Sequence, residues 1–319
     1  MKMLAVDDDP YFLELLQAVL ASAGLTDLAL ATSATEAAQI IADAKPPFEC
    51  CFIDMRMPEI EGDYLCKWIR RLPDYRDTTI LMITAKSEKS DIDRAFLAGA
   101  SDYMTKPMDL AELIVRAKEI ARSGKRMKHP GAKASAPAPA PAEGAQSSRI
   151  EFTDPIPLSG IRTAIDLNAM EKYLLQLSRS RKYELTACAF KIFEAAKLHL
   201  VCSPAEFRNI LNAAATAIME ALRPSRPFIS YAGYGAFVCA GDESQIGGME
   251  AAALERAVAA TLDRMDLRQD NGLPIKVRLL MGGPQKLGVW SGRKVVDAMY
   301  RTIGDAEERC RQFDSSCER

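Results

Sequence analysis

Histidine is nearly missing from this sequence. His129 and His199 are the two present among 319 residues, and they lie far apart in the chain, which leaves little material for a His-based metal centre. Cysteine is present but unpatterned: eight residues, with no CxxC pair and no metal-like spacing. Cys50 and Cys51 fall in a predicted buried strand and read as small core residues in a reducing cytosol. No apolar run approaches the ~18 residues that a spanning helix needs, so no membrane partner is expected. The opening residues, MKMLAVDDD, are too short and too acidic for a secretory leader, and a cytoplasmic location is expected. Excess positive charge is also lacking. The formal net charge is −2 and the pI about 5.9, with few clustered Arg or Lys and no basic recognition helix, so DNA is not an expected partner. No fixed-period repeat occurs.

What is there is an apolar share of 48%, enough for packed cores, over a length that suits about two domains. In the first 122 residues, short apolar runs alternate with amphipathic stretches. Strands are predicted over 2–6, 28–31, 50–54, 79–84 and 101–105. Helices are predicted to open at Asp9-Pro10 and Ser33 and to cover 64–71, 87–97 and 109–122. Such alternation predicts a doubly wound, five-stranded parallel sheet covered on both faces. Residues 123–152 then become Ala/Pro-rich, a composition that cannot bury a core and reads as a linker. From 153 to 319 a second α/β domain is predicted, with a mixed, largely antiparallel sheet and a hairpin around Gly233 and Gly235.

Chemistry concentrates at one sheet edge. Asp7, Asp8 and Asp9 follow the first strand and Asp54 ends the third, its neighbour. Asp9 is accounted for as a helix cap before Pro10. Asp7, Asp8 and Asp54 converge, and clustered carboxylates stay ionised together only around a cation. An all-oxygen ligand set favours Mg²⁺. Thr84 and Lys106 end the fourth and fifth strands and bring a hydroxyl and a positive charge to the same edge. A metal, a lysine, a hydroxyl and a carboxylate nucleophile suit phosphoryl transfer to an aspartate.

On VDDDP (6–10), FIDMRMPEIEG (52–62), Thr84-Ala85 and Lys106-Pro107, residues 1–122 resemble the flavodoxin-like receiver domain of two-component response regulators. The resemblance implies that Asp54 accepts phosphoryl from a histidine kinase or phosphotransfer protein. It implies Mg²⁺ bound by Asp8 and Asp54, by Asp7 through water and by the backbone carbonyl of Arg56. Lys106 and Thr84 would hold the phosphoryl oxygens and Tyr103 would be the aromatic switch. Phosphorylation would remodel the face over residues 87–122, with homodimerisation through it as the expected output.

Residues from about 160 to 315 resemble, more faintly, the GGDEF family of diguanylate cyclases, on YAGYGAF (231–237), VRLLMGG (277–283), DAMY (297–300) and Asp166-Leu167-Asn168. The acidic signature positions hold Gly235 and Ala236, the metal-binding first-strand position falls on Lys191 or Phe193, and Arg223-Pro224-Ser225-Arg226 lacks the inhibitory-site Asp. A catalytically silent domain that signals to an unknown protein partner is expected. The alternative is a divergent cyclase or nucleotide-binding effector, with backbone N–H groups of a glycine-lined pocket cradling phosphate.

Overall fold

The computed structural model describes residues 1–85, 88–127, 151–180, 183–223, 225–246 and 250–317. Of the 123–152 segment read as linker, residues 128–150 lie outside the described residues, while 123–127 are helical. The chain divides into two compact units, Met1–Gly144 and Ala145–Arg319.

In the first unit, β1 (Met3–Val6), β2 (Leu28–Ala31), β3 (Cys50–Asp54), β4 (Thr79–Thr84) and β5 (Asp102–Thr105) alternate with α1 (Pro10–Ser22), α2 (Ala34–Asp43), α3 (Gly62–Ile69), α4 (Lys89–Leu97) and α5 (Leu110–Met127). The strands are parallel in the order β2-β1-β3-β4-β5. The central β1 and β3 are buried at every position because helices cover both faces, and so each reads as an unbroken apolar run. Asp9 Oδ1 accepts from Tyr11 N–H, and Pro10 supplies a first helical turn that needs no donor. Ser33 caps α2 by accepting from Glu36 N–H at 3.2 Å. Leu13, Leu16 and Leu20 of α1 join Met3, Phe52, Leu81 and Leu113 in one core.

The second unit contains α6 (Leu167–Ser180), β6 (Leu185–Ile192), α7 (Ala195–Val201), α8 (Pro204–Ala221), β7 (Phe228–Tyr231), β8 (Ala236–Asp242), α9 (Glu243–Ile246), α10 (Ala251–Met265), β9 (Leu279–Met281), β10 (Gln285–Lys286) and α11 (Arg293–Cys317). Its sheet runs β10-β6-β8-β7, with β9 also on β6, and each of these strand pairs is antiparallel. The mixed, largely antiparallel sheet expected from sequence is largely antiparallel in the structure. The helical crossover from β6 to β7 does connect parallel strands, but β8 inserts between them. Among the described residues, parallel pairing in this unit is confined to the isolated Ala164–Ile229 bridge. Ser203 and Glu206 form a reciprocal capping box that starts α8. No helix among the described residues is long and apolar enough to cross a membrane.

Candidate functional site

Strand register assembles the site in the first unit. Val6 pairs with Ile53, Asp54 with Ile83, and Thr84 with Thr105. Asp7, Asp54, Thr84 and Lys106 therefore leave the sheet at one carboxyl-terminal level, the edge where open α/β sheets keep their ligand crevice. Asp7 and Asp54 are 2% and 5% exposed. Lys106 Nζ lies 2.6 Å from Asp7 Oδ2 and 2.8 Å from Asp54 Oδ1, so one ammonium bridges both carboxylates. The backbone N–H of Arg56 donates to Asp54 Oδ2 at 2.6 Å, and that of Asp9 to Asp7 Oδ1 at 3.1 Å. Lys106 also lies 3.9 Å from the centroid of the Phe12 ring, a cation–π contact that the sequence did not reveal.

Burial pushes the Asp7 and Asp54 carboxyls above their ordinary range, against the opposing pull of Lys106. Burial alone would lower Lys106, but its hydrogen bonds to Asp54 and Asp7 outweigh this and hold it above its usual value. Asp8 is exposed and acts on Asp54 through charge, raising it. Thr84 is fully buried. Tyr103 is also fully buried and points inward, its hydroxyl hydrogen-bonded to the Thr84 side chain, and burial raises its phenol well above normal.

The bridging ammonium makes a stability prediction. Lys106→Ala leaves two buried carboxylates without their cation and should destabilise the first unit at pH 7 by on the order of 2 kcal/mol. Both carboxyls already titrate above 3.8 and would rise further. Removing their partner matters only while they are charged, so the deficit shrinks as pH falls through their raised pKa values towards 3.8. Urea melts at pH 7 and below pH 4 check this: an equal deficit at both would contradict it.

Sequence reading missed the charge network behind the site. The Arg56 guanidinium donates to Asp91 Oδ1 at 2.6 Å and to Glu61 at 2.8 Å. Arg94 then bonds Glu61 and lies 2.9 Å from Asp63, which also takes Lys67 at 2.9 Å. Asp91 is 2% exposed, and its Oδ2 has no hydrogen-bond partner among the described residues. Its one sequence signal is a carboxylate beside Ile92 on the inner face of α4, where an apolar residue would be expected.

In the second unit, Lys191 lies on β6 with its ammonium 3.0 Å from Glu307 and 5.9 Å from the Tyr234 ring centroid. Phe193 meets Phe313 edge-on at 5.2 Å. Gly233, Tyr234 and Gly235 all have positive φ, at +85°, +53° and +78°. The Tyr234 N–H donates to the Phe152 carbonyl, and the Gly235 N–H to the Tyr231 hydroxyl. These donors, which could have cradled a phosphate, are thus engaged within the chain. Among the described residues, no three His, Cys, Asp or Glu side chains in either unit form a closed metal-ligand group.

A parallel 2-1-3-4-5 sheet with two carboxylates and a lysine at its carboxyl edge defines a flavodoxin-like α/β domain. Residues 3–118 match the family described as the response regulator receiver domain. The chain is 35% identical over 131 residues to the response regulator protein PilR of Pseudomonas aeruginosa, covering 41% of this chain and 27% of PilR. It is 30% identical over 121 residues to the DNA-binding dual master transcriptional regulator RpaA of Synechocystis, covering 38% of this chain and 49% of RpaA. The chain thus spans about half or less of these relatives' lengths. A solved structure of a putative response regulator from Chloroflexus aurantiacus is 38% identical, with 38% of this chain and 97% of that one covered and a TM-score of 0.36. The N-terminal part of this protein is the receiver domain of a response regulator.

Proposed function

We propose that Asp54 is the phosphoacceptor of a cytoplasmic two-component relay. The observation that carries this is the Asp7–Lys106–Asp54 bridge at a receiver domain's sheet edge. One Asp54 oxygen attacks phosphorus while the bond to the donor's histidine nitrogen breaks and its electron pair leaves on that nitrogen. Lys106 keeps Asp54 ionised for the attack and then faces the incoming phosphoryl oxygens, with Thr84 as a hydroxyl donor. The donor is a histidine kinase or phosphotransfer protein.

The donor set fits Mg²⁺. The carboxylates of Asp7, Asp8 and Asp54 and the Arg56 carbonyl offer only oxygen, and Mg²⁺ binds through one or two carboxylates while keeping several waters. The ion would supply charge neutralisation between carboxylates and phosphoryl. Acetyl phosphate with Mg²⁺ should label the chain, and peptide mapping should place the label on Asp54; a label on another peptide would contradict the reading.

Tyr103 stands inward against Thr84, the position expected of an aromatic switch responding to the site. Leu97 of α4 and Val115 of α5 are 40% and 55% exposed, apolar surface suited to homodimer contact through the 87–122 face.

For residues 153–319 we propose a silent GGDEF-like output domain joined through the 123–152 linker. The position at which the likeness would need a metal-binding carboxylate falls on Lys191, whose ammonium pairs with Glu307, or on Phe193, which meets Phe313, and neither side chain can bind a divalent ion. Gly235 and Ala236 add no ligand, and output passes by protein–protein contact to an unidentified partner. GTP turnover by beryllofluoride-treated chain should be absent; turnover would favour the divergent-cyclase reading. RpaA is named as DNA-binding, so a mobility shift at low salt separates DNA output from protein output, and no shift is expected.

A further inference from the structure

The hairpin turn of the second unit is already occupied by the chain's own lead-in segment. Residues 151–165 run across α8, the hairpin and the edge strand β7. The Phe152 ring lies 5.3 Å from the His199 ring, 6.4 Å from Phe207 and 5.5 Å from Tyr234, meeting the last edge-on. Its carbonyl accepts the Tyr234 N–H at 2.8 Å. A Cβ on Gly233 would come within 2.4 Å of the Thr153 carbonyl oxygen, so glycine there is what lets the segment lie flat on the turn. Further along, Ser159 N–H donates to Asn212 Oδ1 at 2.9 Å. Ile165 and Ile229 N–H groups pair with Ile229 and Thr163 carbonyls along the open edge of β7. The contacts are those of a bound extended peptide: an aromatic anchor in a ring-lined niche, one turn amide read by its backbone, and strand-like pairing at a sheet edge.

Tyr234 holds a left-handed backbone that an aromatic residue rarely adopts, and its side chain is 49% exposed. Such a conformation persists where surrounding contacts over-determine it, and here Phe152 and Thr153 add to the hairpin's own bonds from Ala236 N–H to the Gly233 carbonyl and from Gly235 N–H to the Tyr231 hydroxyl. Phe152 itself is only half-buried, and its neighbours on the chain, Glu151, Thr153 and Asp154, are exposed. Ile156, Leu158, Ile161 and Ala164 further along the segment also pack against the core, so Phe152 is the one apolar anchor of the tip, residues 151–154.

We propose that the niche formed by His199, Phe207 and the Gly233–Gly235 turn is a peptide-binding site, filled in cis by residues 151–154, and that its partner in trans is an extended peptide carrying an aromatic residue at the Phe152 position. The site does not depend on phosphorylation at Asp54. A tethered segment acts at an effective concentration in the millimolar range, so a trans peptide is excluded until the tether loosens its hold.

The test uses full-length chain and a synthetic peptide of residues 151–159, titrated by fluorescence anisotropy. Phe152→Ala in the chain should raise affinity for the peptide at least tenfold over the unsubstituted chain, and the same substitution in the peptide should abolish binding. Hydrogen exchange at the Tyr234 amide should quicken at least tenfold in the variant and slow again with peptide. Phe152→Leu in the chain, a milder truncation that leaves the niche itself unchanged, should give the same directions more weakly, and serves if the first variant does not fold. Equal peptide affinity for variant and unsubstituted chain, no binding to either, or unchanged exchange at Tyr234 would overturn the proposal.

Discussion

Asp54→Asn is expected to lower labelling of the chain by acetyl phosphate by roughly 100-fold or more, because the amide cannot serve as the phosphoryl acceptor. The same variant should be more stable than the unsubstituted chain at pH 7. Burial raises the Asp54 carboxyl above 3.8 despite Lys106, so the folded state disfavours the charge more than the ammonium favours it. A group with a raised folded pKa contributes stability that is full below its ordinary value and is lost as pH rises through the folded one. The neutral amide does not suffer that loss. The variant's advantage should thus be present at pH 7 and fade towards pH 3.8. Label retained on the variant would show that another residue is the acceptor. A pH-independent stability difference would show that packing, not charge burial, separates the two chains.

Gly62→Ala is expected to be the most damaging single-methyl change in the first unit. A Cβ at Gly62 would stand 2.0 Å from the backbone oxygen of Asp54 and 3.0 Å from an Ile53 side-chain carbon. Backbone cannot rotate aside as a side chain can. The Gly62 N–H donates to the Met55 carbonyl at 3.0 Å, so the turn is tied to the end of β3 from both sides. Relief requires moving either α3 or Asp54, the proposed acceptor. The expected cost is about 3 kcal/mol, at the upper end of overpacking effects. The shift should also slow phosphorylation, because Asp54, Arg56 and Lys106 would no longer share their hydrogen bonds. Hydrogen exchange over residues 50–62 and the initial rate of acetyl phosphate labelling measure the two effects. Unchanged exchange with unchanged labelling would mean that the close approach is readily relieved.

The two glycine sites show what local sequence reading can reach. Gly62 reads as a turn residue in sequence, which is correct as far as it goes, but its necessity comes from an oxygen eight residues away, brought close by folding. Gly233 reads as a hairpin glycine, and its positive φ agrees, yet the contact that forbids a side chain there comes from Thr153. The Arg56–Asp91–Glu61–Arg94–Asp63 network was illegible for the same reason. Its members are surface-type residues in sequence, and only the approach of the β3–α3 turn to α4 pairs them.

By itself the sequence determined the alternation of strands and helices in the first unit, because each strand is a short apolar run closed by turn or capping residues, and those are interactions between chain neighbours. It likewise determined that carboxylates, a hydroxyl and a lysine stand at strand ends. Tertiary structure decided what depends on distant segments meeting: the 2.6 and 2.8 Å bridge by Lys106, the inward Tyr103 on Thr84, the placement of β8 between β6 and β7, and the lead-in segment over the hairpin. Periodicity reports which face of an element is buried. It carries no information on which partner covers that face, and it is the partner that sets the charge, the room and the donors a site has to work with.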